Sequence, residues 1–304
     1  MKKLEGIHHV SSITGDAQAN VDYYAGVLGL RLVKKTVNQD DPTVYHLFYG
    51  DEHGSPGMDL TFFEYPGARP GRAGDGMINR IVLRVGSQEA LDFWAERLGL
   101  EKSEGSLVFE DPEGLGLELR VVETTDEPLT AEHPEIPGEL AIQGFDEVRA
   151  YSSDPERSRA FLETALGFQP EGETSWEVRG ESRGGRYVYD EAPSAPGIPG
   201  AGTVHHVAWG TRDEEHELEV RRRVQEAGGR PTPLIDRFWF RSVYFREPSG
   251  VLFELATAGP GFAADEDVEH LGEKLVLPPD FEHLRDQVEP LLTPLPNPRE
   301  PARR

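Results

Sequence analysis

Two matching segments decide the fold of this chain: Ile7-His8-His9-Val10 near its start and Val204-His205-His206-Val207 further along. Each begins a strand-like run that leads into an amphipathic, helix-like stretch. Two more segments, Ile78-Asn79-Arg80-Ile81 and Phe145-Asp146-Glu147-Val148, begin in the same way but carry no histidine. The chain therefore repeats one unit four times.

The helix predicted in each unit has a common length and a common stop signal. Apolar residues recur every three to four positions, as on one face of a helix, and a glycine then ends it. The glycines Gly29, Gly99, Gly167 and Gly228 lie 20, 19, 20 and 22 residues after His9, Arg80, Glu147 and His206. The ends of units two and four, residues 111–119 and 247–255, also match, each with a Pro-x-Gly turn leading into a strand.

These repeats predict an α+β protein in which four βαβββ modules form two domains with cupped mixed β-sheets. We expect an N-terminal domain of two modules over residues 1–126 and a C-terminal domain of two modules over 139–260. The Pro-rich stretch 127–138 would separate them, and 191–202 would be a loop between modules three and four. Residues 261–304 would form an extension, with a helix at 283–292 and a disordered Pro/Arg-rich tail from Thr293.

Composition excludes several classes of function. The chain has no cysteine, so disulfides, thiolate metal sites and cysteine nucleophiles are ruled out. Its 55 acidic and 31 basic residues give a net charge of −24, which would repel nucleic acid. No apolar run is long enough for a membrane span, and the first residues do not resemble a signal peptide. We expect a cytoplasmic protein that binds neither nucleic acid nor membrane.

Comparison of the four units points to a metal site. Only units one and four place histidines in the opening pair, and unit four adds a carboxylate, Glu254, in its closing strand, where unit one has Thr61. A lone carboxylate within an apolar strand is costly to bury unless it is paired or bound to a metal. Two histidines and one carboxylate leave coordination positions open, as is typical of non-haem iron(II) enzymes that use oxygen.

Unit two is an internal control for this interpretation. Glu118 occupies the position of Glu254, but Arg80 stands where the histidine would be, so a salt bridge is expected there. Residues alone do not decide which histidine of each pair faces the site. Alternate residues of a strand point to opposite faces, and this leaves His8 or His9, and His205 or His206, as open alternatives.

The repeated unit resembles the vicinal oxygen chelate superfamily, which includes glyoxalases, extradiol dioxygenases and bleomycin-resistance proteins. Within it, the chain is most similar to hydroquinone-type ring-cleaving dioxygenases. The similarity covers nearly the whole chain and is carried by residues 6–9, 45–57, 204–209, 241–254 and 262–266.

The resemblance implies a ligand set. It selects the second histidine of each pair and the closing glutamate, that is His9, His206 and Glu254, as ligands of Fe(II), with Mn(II) as the alternative. The catechol extradiol enzymes keep all three ligands in their second domain. Glu147 stands in unit three where those enzymes would need a histidine, so their pattern does not apply here.

The resemblance also implies supporting residues around the metal. Those expected to orient groups or supply a proton are His8, Arg237 and Tyr244, and Ser11 is expected at the substrate. Aromatic residues that could line the pocket are Trp209, Phe238, Trp239 and Phe240, with core packing as an equally weighted alternative.

The resulting hypothesis is oxidative ring opening of a hydroquinone, with a small aromatic substrate and O2 as partners. One alternative is a glyoxalase-like isomerase or hydrolase using Ni or Zn, which usually needs a fourth protein ligand; Thr61, at the equivalent position, serves poorly. Another is a protein that binds quinones or drugs without turnover, which has no need of a metal triad. The oligomeric state, including a homo-oligomer, is left open.

Overall fold

The computed structural model describes residues 2–299, which form short helices around two large β-sheets. The strands are β1 Ile7–Thr14, β2 Arg31–Asn38, β3 Asp41–Gly50, β4 Asp59–Glu64, β5 Ile78–Val85, β6 Ser106–Glu110, β7 Gly116–Val121, β8 Phe145–Ser152, β9 Gln169–Pro170, β10 Ser175–Arg179, β11 Gly184–Glu191, β12 Thr203–Thr211, β13 Ile235–Asp236, β14 Arg241–Arg246 and β15 Leu252–Thr257. The α-helices are α1 Ala17–Val21, α2 Gln88–Leu98, α3 Glu156–Ala160, α4 Glu214–Glu226 and α5 Arg285–Val288. Helices α1 and α3 continue as π-helical turns over Asp22–Val27 and Phe161–Leu166, and short 3₁₀ turns occur at Gly138–Leu140, Phe262–Ala264, Val268–His270, Pro279–Leu284 and Glu289–Leu291.

The helices begin and end for the local reasons read from the sequence. In α2 the Ser87 side chain accepts a hydrogen bond from the backbone N–H of Ala90, and Gly99 ends the helix at φ 67°. The sequence places Leu218, Val220 and Val224 at apolar positions of α4, but its buried apolar face is narrower. Val220 and Val224 are buried, but Leu218 is 42% exposed, because it lies on the solvent side of the helix.

The strands form two mixed sheets, which confirms the predicted fold class. The larger sheet has the order β13-β14-β15-β12-β1-β4-β3-β2, and the smaller has the order β6-β7-β5-β8-β11-β10-β9. Module four therefore shares a sheet with module one, and module two with module three. The sheets cross the boundary predicted at residues 127–138, since each takes one module from each half of the chain; the division into two domains stays a prediction.

The larger sheet is joined at its centre by the antiparallel pairing of β1 with β12. Two bulges interrupt this pairing. They lie at His8 in β1 and at His205 in β12, the two residues that have no directly opposite partner on the other strand. A bulge bends its strand and re-aims the neighbouring side chains, and bulges are common beside active sites. Both histidine pairs of the sequence thus lie at bulges in the two central strands.

The C-terminal extension, residues 261–299, covers the module-one half of the larger sheet. The Val276 N–H donates to the carbonyl oxygen of Lys35 in β2 at 2.9 Å. At the start of the extension, the Gly261 N–H donates to the carbonyl oxygen of Trp239 in module four at 2.8 Å. The helix predicted at 283–292 is present as three short pieces between Pro279 and Leu291. Of the tail predicted to be disordered, residues 293–299 are irregular and 300–304 lie outside the described residues. Between residues 2 and 299, no helix has the length and apolar character to cross a membrane.

Candidate metal centre

Three neighbouring strands, β1, β12 and β15, bring His9, His206 and Glu254 together. The Oε2 atom of Glu254 lies 3.1 Å from Nε2 of His9 and 2.8 Å from Nε2 of His206, and the two Nε2 atoms are 3.2 Å apart. Donor atoms about 2.1 Å from one ion, at adjacent positions of an octahedron, lie about 3.0 Å apart. The spacing and the donor types therefore fit a divalent metal held on one face. Among residues 2–299, no other group of three such side chains meets this closely.

The protonation of His9 is fixed by the residue beside it. Nε2 of His8 lies 3.1 Å from the carbonyl oxygen of Thr257, which can only accept, so this nitrogen carries the proton. Burial, and then the neighbouring His9, lower the pKa of His8 to about 3, so its Nδ1 is bare. That Nδ1 lies 3.0 Å from Nδ1 of His9, which must then donate. With its proton on Nδ1, His9 can present the lone pair of Nε2 to a metal.

A second histidine pair repeats this arrangement. Nδ1 of His205 lies 2.8 Å from Nδ1 of His206. Burial lowers the pKa of His206 and, together with the nearby His206, lowers that of His205 to about 4. Both rings are therefore neutral at neutral pH, and a proton shared between the two Nδ1 atoms leaves Nε2 of His206 to face Glu254.

Glu254 is held as an ionised ligand in a fully buried position. Its Oε1 atom accepts a hydrogen bond from the Ser242 hydroxyl at 2.5 Å, which leaves Oε2 turned toward the histidines. Burial alone would raise the pKa of Glu254, but His9 and His206 hold it well below its usual range. An anionic oxygen and two neutral imidazoles form the donor set that a divalent transition metal prefers.

A cavity of about 310 Å³ opens over these three side chains. Its walls are mainly aromatic and apolar, with polar groups at the mouth, which is usual for sites that bind small organic ligands. Besides the three donors, its lining residues are Asn38, Gln39, Asp40, His46, Phe48, Phe63, His205, Thr232, Ile235, Arg237, Trp239, Phe240, Tyr244 and Leu252.

Two of the predicted supporting residues line this cavity. The Tyr244 ring lies 5.6 Å from that of His206, and burial, with Glu254 nearby, raises the pKa of the Tyr244 phenol. Its hydroxyl therefore stays protonated at neutral pH. The Arg237 guanidinium lies over the Tyr244 ring at 5.5 Å and forms a two-pronged ion pair with Asp40. His8, by contrast, stands behind His9 and does not reach the cavity.

Two predicted substrate contacts, Trp209 and Ser11, do not lie on the cavity wall. Trp209 is fully buried in an aromatic cluster, 4.8 Å from Phe168 and 5.5 Å from Phe253, and is absent from the cavity wall. It follows the ligand His206 by an odd number of strand positions, so it faces away from the site. Ser11 is also buried behind the wall, where its hydroxyl bonds to that of Thr61 at 2.7 Å.

Of the aromatic residues 238–240, two lie on the cavity wall and one does not. Trp239 and Phe240 line the cavity, and the Phe240 ring lies 5.3 Å from that of His9. Phe238 takes a φ of 72° at the tip of the turn, a strained conformation for an aromatic residue, and is not on the wall. Its role as a substrate contact stays a prediction, although the cavity wall does not include it.

Several residues of the site had no role in the sequence analysis. His46 is half-buried in β3 and places its Nε2 atom 2.9 Å from the hydroxyl of Thr61. It belongs to the strand motif 45–57, where its two-residue spacing from Phe48 could have indicated a shared face. Asp40 carried no comparable signal, because its partner Arg237 comes from a distant part of the chain. The contact of Ser242 with Glu254 depends on the register between β14 and β15, which the sequence does not specify.

The salt bridge expected in unit two is confirmed. Nη1 of Arg80 donates to Oε2 of Glu118 at 3.1 Å, and Arg120 bonds to the other oxygen of that carboxylate at 2.9 Å. In the smaller sheet, the closing glutamate Glu118 is thus paired with arginines. In the larger sheet, the closing glutamate Glu254 faces histidines.

Comparison with known proteins agrees with this arrangement. Residues 6–76 and 144–255 match the family described as the Glyoxalase/Bleomycin resistance protein/Dioxygenase superfamily. Among curated proteins, the chain is 41% identical to the "Putative ring-cleaving dioxygenase MhqA" of Bacillus subtilis, covering 96% of this chain and 99% of that protein. It is 33% identical to the "Chlorohydroquinone/hydroquinone 1,2-dioxygenase" of Sphingobium indicum, covering 94% of this chain and 95% of that protein.

Solved structures give the same result for the fold. The crystal structure of a "putative dioxygenase" from Bacillus subtilis superimposes with a TM-score of 0.89 at 41% identity, covering 97% of this chain and 98% of that one. Glyoxalase I from Zea mays superimposes with a TM-score of 0.53 at 18% identity, covering 83% of this chain and 92% of that one, and is similar in fold alone.

Proposed function

The chain belongs to the glyoxalase/bleomycin resistance protein/dioxygenase superfamily, and on that premise we propose that it is a ring-cleaving dioxygenase that opens a hydroquinone-type ring with O2. The proposed metal is non-haem Fe(II), with Mn(II) as the alternative, and its ligands are His9, His206 and Glu254. The observation that carries the proposal is the facial spacing of these three donors beneath a cavity with aromatic walls. The 33% identity to a hydroquinone dioxygenase supports the choice of substrate.

The bound metal would supply redox and Lewis-acid chemistry that allows dioxygen to react with an aromatic ring. The chain's own residues bind and orient that ring. Phe63, next to His206, and Phe240, next to His9, both present aromatic surfaces to the cavity. A flat aromatic substrate gains most from such walls because stacking adds to the burial of its apolar surface.

Proton handling would fall to groups on the cavity wall. The Tyr244 phenol keeps its proton because burial raises its pKa, so it can donate to an oxygen atom of the reacting substrate. His46 is neutral because burial, and then His9 and His206, lower its pKa, so it can accept a hydrogen bond from a substrate hydroxyl. One donor and one acceptor within one cavity with mainly apolar walls suit a reaction in which hydroxyl groups lose and gain protons.

The position of Thr61 favours an open metal face over a fourth protein ligand. Its hydroxyl is already bonded to Ser11 at 2.7 Å and to His46 at 2.9 Å. This supports the dioxygenase over a glyoxalase-like enzyme with a four-residue ligand set.

Oxygen consumption tests the proposal. Protein loaded anaerobically with Fe(II) should consume O2 when hydroquinone is added, and the Mn(II)-loaded protein tests the alternative metal. Glu254→Gln should lose both metal and oxygen uptake. Glu118→Gln is the matched control, because it alters the equivalent glutamate of unit two, and it should retain both. Absence of uptake by the iron-loaded protein across several hydroquinones and catechols would reject the proposal.

A further inference from the structure

The mouth of the cavity is crossed by an ion pair between two distant segments. Asp40, at the turn between β2 and β3, faces Arg237, just before β14. The two carboxylate oxygens lie 3.1 and 2.8 Å from Nη1 and Nη2 of Arg237, which is the two-pronged geometry of a strong arginine–carboxylate pair. Gln39 adds a hydrogen bond from its side-chain amide to the Arg237 carbonyl oxygen at 2.9 Å.

This pair determines the charge that the cavity offers to a ligand. Within the part of the chain that the structure describes, Arg237 is the only arginine or lysine on the cavity wall. Its side chain is 15% exposed, whereas that of Asp40 is 72% exposed. The guanidinium of Arg237 thus faces the interior. Asp40, at the rim, binds the two terminal nitrogens of this guanidinium, which together form its fork.

Arg237 also lines the same cavity as the three donors. Its guanidinium is stacked on Tyr244, whose ring is in turn next to His206. A ring bound over the three donors would therefore share this cavity with the guanidinium of Arg237. If the fork were free, a substrate carboxylate could bind it.

From this geometry, and resting on the proposed function, we infer that Asp40 sets the charge selectivity of the site: it neutralises Arg237 and so restricts the enzyme to uncharged hydroquinones, excluding rings that carry a carboxylate. Burying an unpaired carboxylate against aromatic walls is costly. A substrate carboxylate would have to displace Asp40, which is tethered to the same molecule and therefore has the advantage of a high effective concentration.

The test compares two probes of nearly equal shape, 2,5-dihydroxyphenylacetate and its methyl ester, which differ mainly in charge. Binding of each to the Fe(II)-loaded protein is measured by calorimetry without oxygen, so that no turnover is needed. The wild type should bind the ester at least about tenfold more tightly than the acid. Asp40→Asn should reduce this preference by about tenfold, because it frees the fork of Arg237 while leaving the turn intact.

Two further variants locate the effect. Asp41→Asn removes the same charge one residue away, from a side chain that bonds to Thr43 and not to Arg237, and it should leave the preference within about threefold of the wild type. Adding Arg237→Gln to Asp40→Asn should abolish the gain in binding of the acid.

Three results would overturn the inference: an unchanged preference in Asp40→Asn, an equal change in Asp41→Asn, or a wild type that binds the acid as tightly as the ester or fails to bind the ester. Because these are binding measurements, they are separate from oxygen uptake. Loss of uptake with the charge preference intact would count against the proposed reaction and not against the role of Asp40.

Discussion

At the scale of single residues, each metal-facing atom of the centre is oriented by a neighbour. The carbonyl oxygen of Thr257 fixes the proton of His8, which fixes that of His9. His205 has the corresponding position beside His206, and Ser242 holds one oxygen of Glu254. Loss of one such supporting contact typically lowers metal affinity by about 10- to 100-fold.

Ser242 provides a direct test of this support. Ser242→Ala removes the hydrogen bond to Oε1 of Glu254, and metal affinity should fall by about 10- to 100-fold because the carboxylate is no longer held in one orientation. Competition with a chromogenic chelator measures the change. Ser12→Ala is the control, since that buried hydroxyl has no hydrogen-bond partner within the described residues; an equal effect of both variants would contradict the role of Ser242.

Burial of Glu217 lowers the free energy of unfolding by an amount that depends on pH. It is fully buried in α4, neither carboxylate oxygen has a hydrogen-bond partner among the described residues, and burial, with Glu254 and Glu214 nearby, raises its pKa to about 8. The folded state therefore keeps this proton up to about pH 8, whereas the unfolded state releases it near its ordinary pKa of 4.5. Between these values the contribution of Glu217 to the free energy of unfolding falls as the pH rises.

Glu217→Gln should remove this dependence. The variant should gain little stability below pH 4.5 and the most above pH 8, on the order of 5 kcal/mol. Thermal unfolding across this pH range measures the difference from the wild type. Glu219→Gln, on the same helix, is the control and should show no such trend; a constant offset for Glu217→Gln at every pH would refute the explanation.

At the scale of elements, the C-terminal extension is attached to the sheet by a buried lysine. Lys34 of β2 is completely buried and pairs with Asp265 at 2.8 Å and with Glu266. Asp265 in turn accepts a hydrogen bond from the indole N–H of Trp239 at 3.0 Å. The extension, strand β2 and the cavity wall are thus linked through one carboxylate.

Lys34→Met should therefore release the extension. Breaking a buried ion pair leaves unpaired carboxylates inside the protein, which costs about 3–5 kcal/mol. We expect a lower melting temperature together with faster proteolytic cleavage within residues 261–277. Lys102→Met removes a surface pair with Asp92 and should cost less than about 1 kcal/mol. Equal stability of the two variants would show that the buried pair does not hold the extension.

At the scale of the whole molecule, the metal centre depends on the crossed arrangement of the modules. His9 comes from module one, whereas His206 and Glu254 come from module four, and the two modules meet along β1 and β12. The smaller sheet joins modules two and three along β5 and β8 in the same manner. Neither half of the chain contains a complete sheet or a complete ligand set.

Each half of the chain, produced alone, should therefore neither fold nor bind metal. Fragments 1–126 and 139–304, produced alone, should remain largely unfolded and bind no stoichiometric metal, because each lacks the partner modules of both sheets. Refolded together, they should recover one metal per pair, measured by gel filtration with metal analysis. As a control, full-length protein cleaved within residues 127–138 should stay associated. A fragment that folds and retains metal alone would contradict this interdependence.

The sequence by itself determined the four modules, the closing glycine of each helix, and the residues able to bind a metal. These features depend on local periodicity, turn chemistry and side-chain type, which can be compared between repeats. The contrast between Glu118, paired with Arg80, and Glu254, facing His206, followed from that comparison and is present in the structure.

Only the tertiary structure decided which modules share a sheet, and hence which histidines meet. The bulges at His8 and His205 determine the direction in which the side chains of each histidine pair point. They arise from pairing between strands that are far apart in the chain. Trp209 belongs to the core, and Asp40 occupies the fork of Arg237, for the same reason: their neighbours come from other modules. Sequence periodicity specifies what each element can bury, whereas long-range packing decides against which partner it is buried.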